Sequence, residues 1–156
     1  MGKWILPYAD IKEFNDEYAF LSNFYPSKIK EYGLTFPTLE YYYQACKAEK
    51  YSDMELIAQA PTPGKAKYLG RTVKMRPDWE QVKEDIMLTG LREKFKNPEL
   101  REKLLDTGYA ILVEGNYWHD NEWGDCYCEK CQSKFGKNKL GRLLMLVREE
   151  IRNNQE

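Results

Sequence analysis

The sequence predicts a mainly α-helical fold with a small β element, and three observations predict it. Apolar residues recur at the 3.6-residue period over two long stretches, residues 77–96 and a final stretch beginning near Asn138. Proline and capping residues punctuate the shorter stretches between them, at Thr38, Pro63 and Asn97-Pro98. Strand-like runs are short and few, one pair around Gly33 and one at 111–113. At 156 residues the chain has the length of a single domain with a real core. Internal repeats, low-complexity segments and linkers are absent from the sequence.

Taken in order, residues 10–17 are polar and acidic and read as a lead-in. Ile29 to Tyr32, the Gly33 turn and Leu34 to Phe36 predict a two-stranded hairpin. It runs straight into FPTLEYYYQACKA, residues 36–48, a helix opened by Thr38. A second helix is expected over 53–59, ended by Pro61-Thr62-Pro63-Gly64, and a third over 63–69, stopped by Gly70. Residues 71–76 form a basic extended connector. Trp79, Val82, Ile86, Met87, Leu91 and Phe95 line the core face of the long helix 77–96. A helix from Asn97-Pro98 to about Leu105 follows, then the strand 111–113. Leu140, Leu143, Leu144, Val147 and Ile151 line the last helix, and NNQE is a frayed tail.

Chemistry concentrates in two places. On the helix at 36–48, Glu40, Gln44 and Lys47 fall at i, i+4 and i+7, one stripe within roughly 60° of arc. A carboxylate, an amide and an amine thus share one face of an otherwise apolar and aromatic helix. Two readings stand: a narrow solvent-facing stripe, or a stripe that looks into a pocket while the helix is buried elsewhere. The second place is the long loop 114–137, which holds Glu114, His119, Asp120, Glu122, Trp123, Gly124 and Asp125. Loops of that length inside a compact chain usually carry function. Trp123 beside Asp125 offers a stacking surface and a carboxylate, and Gly136-Lys137-Asn138 opens a helix whose free N–H groups and Lys suit a phosphate. The alternative is a loop whose Trp plugs the core and whose acids are solvated.

Cys126, Cys128 and Cys131 form C-x-C-x₂-C, with His119 upstream and Cys46 on the stripe helix. Three soft ligands could hold Zn²⁺ with His119 or Cys46 as the fourth. Zinc sites normally close with two paired hooks, so reduced surface thiols and no metal are the preferred reading. Charges nearly balance, 24 basic against 25 acidic residues, which argues against an electrostatic nucleic-acid binder. Aromatics reach 14%, with twelve Tyr and four Trp, which suits sites that stack flat heterocycles. The absence of a long apolar run, and of a signal-peptide core in MGKWILPYAD, predicts a soluble, cytoplasmic protein.

FLSNFYPSKI, GLTFPTLEYYYQACK, WEQVKEDIM, LREKF, LVE, DNEWGD and GKNKLGRLLMLVRE stand in that order along the chain. Together they resemble the NADAR family, also called YbiA-like, from about Phe20 to Glu150. The resemblance implies one mainly helical domain over 1–156, acting without a cofactor. Members of the family cleave N-glycosidic bonds: some destroy phosphoribosylamino-pyrimidine intermediates of riboflavin biosynthesis, and others remove ADP-ribose from guanine in DNA. The family often has His where Tyr41 stands here, and its 125–136 segment is variable.

The resemblance further implies that the stripe helix and the Trp123 loop line one pocket. Glu40 is then the first candidate for acid/base or charge-stabilising work, with Asp120 and Asp125 as further carboxylates. Lys47 either binds phosphate or ribose, or attacks C1′ and forms a Schiff base with the opened sugar. Asn23 and Gln44 would orient sugar hydroxyls. Phe24, Tyr43 and Trp123 would stack on the base, and Arg71, Lys137 and Asn138 would contact phosphate. The expected partner is an ADP-ribose- or phosphoribose-containing substrate, with ADP-ribosylated DNA within its range. A non-catalytic module that binds ADP-ribose or NAD is the alternative.

Overall fold

The short helix α1 (Leu39–Cys46) is buried along its whole length. In this computed structural model, which describes residues 10–154, Glu40 and Gln44 are only 6% and 3% exposed. That burial decides between the two sequence readings of the stripe: it is not a solvent-facing edge. The cause is packing on several sides, against the hairpin β1 (Pro26–Glu31) and β2 (Leu34–Thr38) and against α2 (Tyr51–Ala58), α3 (Pro63–Gly70) and α4 (Trp79–Lys94). The fold class is the predicted one, mainly helical with little sheet.

The chain folds as two compact units, one of residues 23–96 and the other of the segments before and after it. In the 23–96 unit, β1 and β2 pair antiparallel, with Glu31 opposite Leu34. The two residues between them, Tyr32 and Gly33, have φ of 57° and 73°, the doubly left-handed geometry of a tight hairpin turn that suits strand twist. Thr38 ends β2 in extended backbone and precedes α1 without a side-chain capping bond. By contrast, Thr62 accepts from the Lys65 N–H at 3.0 Å, and Pro63 supplies the first turn of α3.

Helix α4 buries Trp79, Lys83, Met87, Gly90, Leu91 and Lys94. Val82 and Ile86, expected in its core, are only half-buried, and two lysines take buried positions. The helix begins at Trp79, not Pro77, because Arg76 and Asp78 pair just before it, Nε to Oδ1 at 2.6 Å.

In the other unit, the lead-in has more structure than its composition suggests. Ile11 makes a parallel bridge to Leu112, with the Ile11 N–H donating to the Ile111 carbonyl at 2.8 Å. A 3₁₀ turn at Asp16–Leu21 then buries Phe20 and Leu21. The expected strand 111–113 is therefore a single bridge, since its partner is one residue of the lead-in. Helix α5 (Pro98–Asp106) is capped by the Asn97 side chain, which accepts from Leu100 N–H at 3.1 Å. Helix α6 (Lys139–Asn154) buries Leu140, Leu144 and Val147 and extends through two residues of the expected frayed tail.

Arg148 of α6 is buried and donates from one amino nitrogen to Thr107 Oγ1 and from the other to the Ala110 carbonyl, each at 2.9 Å. Replacing it by Met leaves buried acceptors unsatisfied, and denaturant unfolding is expected to show a loss of about 1–3 kcal/mol. The N-terminal stretch read for a signal peptide, residues 1–9, and the last two residues of the tail lie outside the described residues. No helix among the described residues is long and apolar enough to cross a membrane.

Candidate active site

Because α1 is enclosed, its polar stripe is held in low-dielectric surroundings. Gln44 Nε2 donates to Glu40 Oε2 at 2.6 Å, a short bond across one helical turn. The Glu40 N–H donates to the Asn23 carbonyl at 3.0 Å, which ties the turn before β1 to the start of α1. Asn23 Nδ2 donates to Met87 Sδ at 3.6 Å. Among the described residues, the carbonyl oxygens of the Asn23 and Gln44 side chains are both buried without a hydrogen-bond partner. Buried amides normally satisfy such acceptors within the fold, so these two stand out as acceptors whose need for a donor the fold does not meet.

Gly70 explains why Gln44 sits where it does. A Cβ at Gly70 would fall on the Gln44 amide, so only glycine lets α3 pass this close. Gly70→Ala is expected to displace the amide from Glu40. Turnover should fall by about 10²-fold, as misplaced catalytic groups do, while melting falls by no more than an ordinary overpacking mutation.

Lys47 follows the last turn of α1, and its amine is half-buried. Nζ lies 5.8 Å from the Tyr43 ring centroid and 5.9 Å from that of Trp79. The two rings are 5.0 Å apart and tilted by 59°. Those distances are at the outer limit of cation–π attraction (~6 Å), so the rings act chiefly by excluding water. Burial pushes the Lys47 amine below its usual pKa; Glu40 opposes that, and Arg71, Lys67 and Lys83 push it further down. The other nucleophile on this helix, Cys46, is unsuited to attack: burial pushes its thiol up to about 12.

The 23–96 unit thus gathers Asn23, Glu40, Tyr43, Gln44, Lys47 and Arg71 around one helix. Phe24, beside Asn23, is 43% exposed. Trp79 is buried on the core face of α4, as the sequence predicts, with its ring against Tyr43; the inward turn of Lys83, which is buried although its Nζ reaches Glu80 at 2.8 Å, is not predicted. No local signal separates a lysine that turns inwards from one on a wet helix face.

In the other unit the loop acids mainly brace the loop. Asp120 Oδ1 accepts from the N–H groups of Glu122 and Trp123 at 3.1 and 2.9 Å. Asp125 Oδ1 accepts from Gly136 N–H at 3.0 Å. The N–H groups read as free for phosphate are occupied: Lys137, Asn138, Lys139 and Leu140 donate to the carbonyls of Asn121, Gly124, Glu122 and Trp123. Asn138, with φ of 49°, accepts from Glu114 N–H and donates to the Leu112 carbonyl, both at 2.9 Å. Lys137 is exposed. Trp123 is half-buried, with Lys139 Nζ 5.9 Å from its ring centroid. Asn116, which the sequence did not single out, organises this loop by accepting from Trp118 and Asp120 N–H and donating to the Asp120 carbonyl.

What the fold and the α1 stripe define is a helical protein built around a buried acid–amide pair beside a desolvated amine. The NADAR domain matches residues 11–152, and the chain belongs to the NADAR family. It is 43% identical over 142 residues to N-glycosidase YbiA of Escherichia coli, covering 88% of this chain and 84% of that one. An N-glycosidase of Nostoc punctiforme is also 43% identical, covering 87% of each. A riboflavin biosynthesis protein of Vibrio vulnificus is 36% identical over 91% of this chain, which corresponds to 38% of that protein. The NMR structure of E. coli YbiA superposes with a TM-score of 0.79 at 38% identity, covering 94% of this chain and 85% of the other.

Proposed function

We propose that this chain is an N-glycosidase that hydrolyses the bond between a 5-phosphoribose and an amino-pyrimidine, with Lys47 as nucleophile and Glu40 as proton shuttle. The observation that carries this reading is the desolvated Lys47 amine, set among three cations and electrostatically coupled to a buried carboxylate. Lowering a lysine's pKa eases loss of its proton, which favours a nucleophilic role over that of a simple counter-ion. The relatives named N-glycosidases support the reaction class, and the one named a riboflavin biosynthesis protein supports a substrate from that biosynthesis.

The chemistry balances as follows. The Lys47 Nζ lone pair forms a bond to C1′ as the C1′–N bond breaks, and the departing heterocycle takes a proton from Glu40. The attacking amine then returns a proton to the carboxylate. The ribose ring opens at O4′, which takes up that proton, leaving an iminium between C1′ and Nζ. Water adds to C1′, and collapse releases ribose phosphate and the free amine. As Glu40 gives up its proton, the negative charge that develops on its carboxylate stabilises the oxocarbenium character at C1′. Gln44 holds Glu40 in place, Asn23 and Gln44 offer acceptors to sugar hydroxyls, and Tyr43 and Trp79 give the heterocycle an aromatic wall. Arg71, Lys67 and Lys83 complement the phosphate.

The test is hydrolysis of two substrates, followed by mass spectrometry of the products. The phosphoribosylamino-uracil intermediate of riboflavin biosynthesis should yield ribose phosphate and free base. Turnover of ADP-ribosylated guanine DNA instead would move the substrate to the other branch of the family. If neither turns over while ADP-ribose raises the melting temperature, the chain is a binding module and the proposal fails.

A further inference from the structure

The loop at 114–137 contains a second constellation that the α1 chemistry does not use. His119, Cys126, Cys128 and Cys131 each present one ligand atom, and these four atoms lie within 4.8 Å of one another. His119 Nδ1 is 3.3 Å from Cys128 Sγ, 3.4 Å from Cys131 Sγ and 3.9 Å from Cys126 Sγ. None of the cysteines is in a disulfide. The geometry points to a structural zinc site of the Cys₃His type, with Nδ1 of His119 and three thiolates as the complete ligand set.

Hydrogen bonding alone does not account for this arrangement. An imidazole Nδ1 carries either one hydrogen or one lone pair, so it can make one good bond to a thiol. Here three sulfurs surround it at nearly equal range. A tetrahedral ion with Zn–S of about 2.3 Å and Zn–N of about 2.0 Å requires N···S edges of about 3.5 Å. The observed 3.3, 3.4 and 3.9 Å straddle that value. Imidazole with three thiolates is also the soft donor set that selects zinc over magnesium or calcium.

The backbone shows how the missing second hook is supplied. C-x-C-x₂-C gives three ligands from one short run: Cys126 in the two-residue strand Asp125–Cys126, Cys128 just before the 3₁₀ turn Glu129–Cys131, and Cys131 at its end. The fourth comes back from His119, whose φ of 69° is left-handed and uncommon for a residue with a Cβ. Around the ligands, the His119 N–H donates to Cys126 Sγ at 3.3 Å, and Asn121 Nδ2 donates to Cys131 Sγ at 3.4 Å. Such N–H···S bonds orient thiolates and spread their charge. Cys126 and Cys131 are buried, so the ion would replace core packing in a segment of short and irregular elements. Four protein ligands leave no open position, which makes the role structural, not catalytic.

The experiment is metal analysis of the full chain purified without chelator, followed by cobalt substitution. The expected result is one zinc per chain and, with Co²⁺ alone as probe, the visible bands of a tetrahedral cobalt–thiolate centre. His119→Ala and Cys131→Ser should weaken cobalt binding by at least about 10²-fold, while Cys46→Ser, outside this loop, should leave it unchanged. Removing the metal with a strong chelator should lower the melting temperature and expose three thiols to a thiol reagent. If Cys131→Ser does not fold, the cobalt spectrum of the unaltered chain and of His119→Ala decides. A metal-free protein whose three loop thiols react at once, without tetrahedral bands on adding cobalt, overturns the assignment. So does iron in place of zinc, or a site unaffected by His119→Ala.

Discussion

Lys47→Met is expected to lower kcat by about 10⁴-fold or more, as loss of a covalent nucleophile does, and to leave the protein more stable. Both effects have one origin. The Lys47 amine is desolvated among Tyr43, Trp79 and three other cations, so the charged form is costly in the folded state. Its folded pKa lies below the ordinary lysine value of 10.5, so between the two values the unfolded chain binds more protons. Stability contributed by this group therefore rises with pH through that window, and its full cost is present below it. Met keeps the volume and removes the charge. The melting temperature of Lys47→Met should exceed that of the parent at neutral pH, and the gap should close as pH approaches 10.5. Activity at a functional site is often held at such a cost in stability. The same pKa shift sets the pH–rate profile. kcat/KM should rise with pH as the amine loses its proton and level off below 10.5, a limb that Lys47→Met lacks.

Glu40→Gln should lower kcat by about 10²- to 10⁴-fold, the range of general acid–base groups, with KM changed little. The substitution is nearly isosteric, but it removes both the proton donor for the leaving heterocycle and the negative charge that develops near C1′ as that proton leaves. It also converts the short Gln44–Glu40 bond into one between neutral amides. Circular dichroism should show an unchanged fold. Comparing a substrate with a good leaving group separates the two roles. If Glu40 acts as the acid, the deficit shrinks with that substrate; if charge stabilisation dominates, the deficit stays the same.

Much of this arrangement is visible in the chain itself, because local rules decide it. The hairpin follows from the Gly33 turn, the capped starts of α3 and α5 follow from Thr62-Pro63 and Asn97-Pro98, and one face of α1 must carry Glu40, Gln44 and Lys47. The rest depends on tertiary neighbours. Whether the stripe is wet or enclosed is set by helices packed around α1, and periodicity of α1 alone does not encode them. Lys83 and Lys94 read as solvent-facing residues of an amphipathic helix, yet Lys94 is 1% exposed with Nζ 5.3 Å from the Phe95 ring centroid. Trp79 fits a core face in sequence and is buried there in the fold, but its contact with the Tyr43 ring is a tertiary one. In the loop, composition reveals the acids and the prospective helix N-terminus. It does not reveal that Asp120 and Asp125 accept from backbone N–H groups, or that the carbonyls at 121–124 take up the N–H groups at 137–140. C-x-C-x₂-C lacks a second hook on paper because His119 returns to the cysteines only through its left-handed backbone.

The most direct test of the central claim is borohydride trapping during turnover, followed by peptide mass spectrometry. A Lys47 iminium predicts a reduced ribose phosphate adduct on the peptide carrying Lys47, formed only with substrate present and absent from Lys47→Met. Normal turnover with no adduct, or an adduct on another lysine with Lys47→Met still active, would contradict the account.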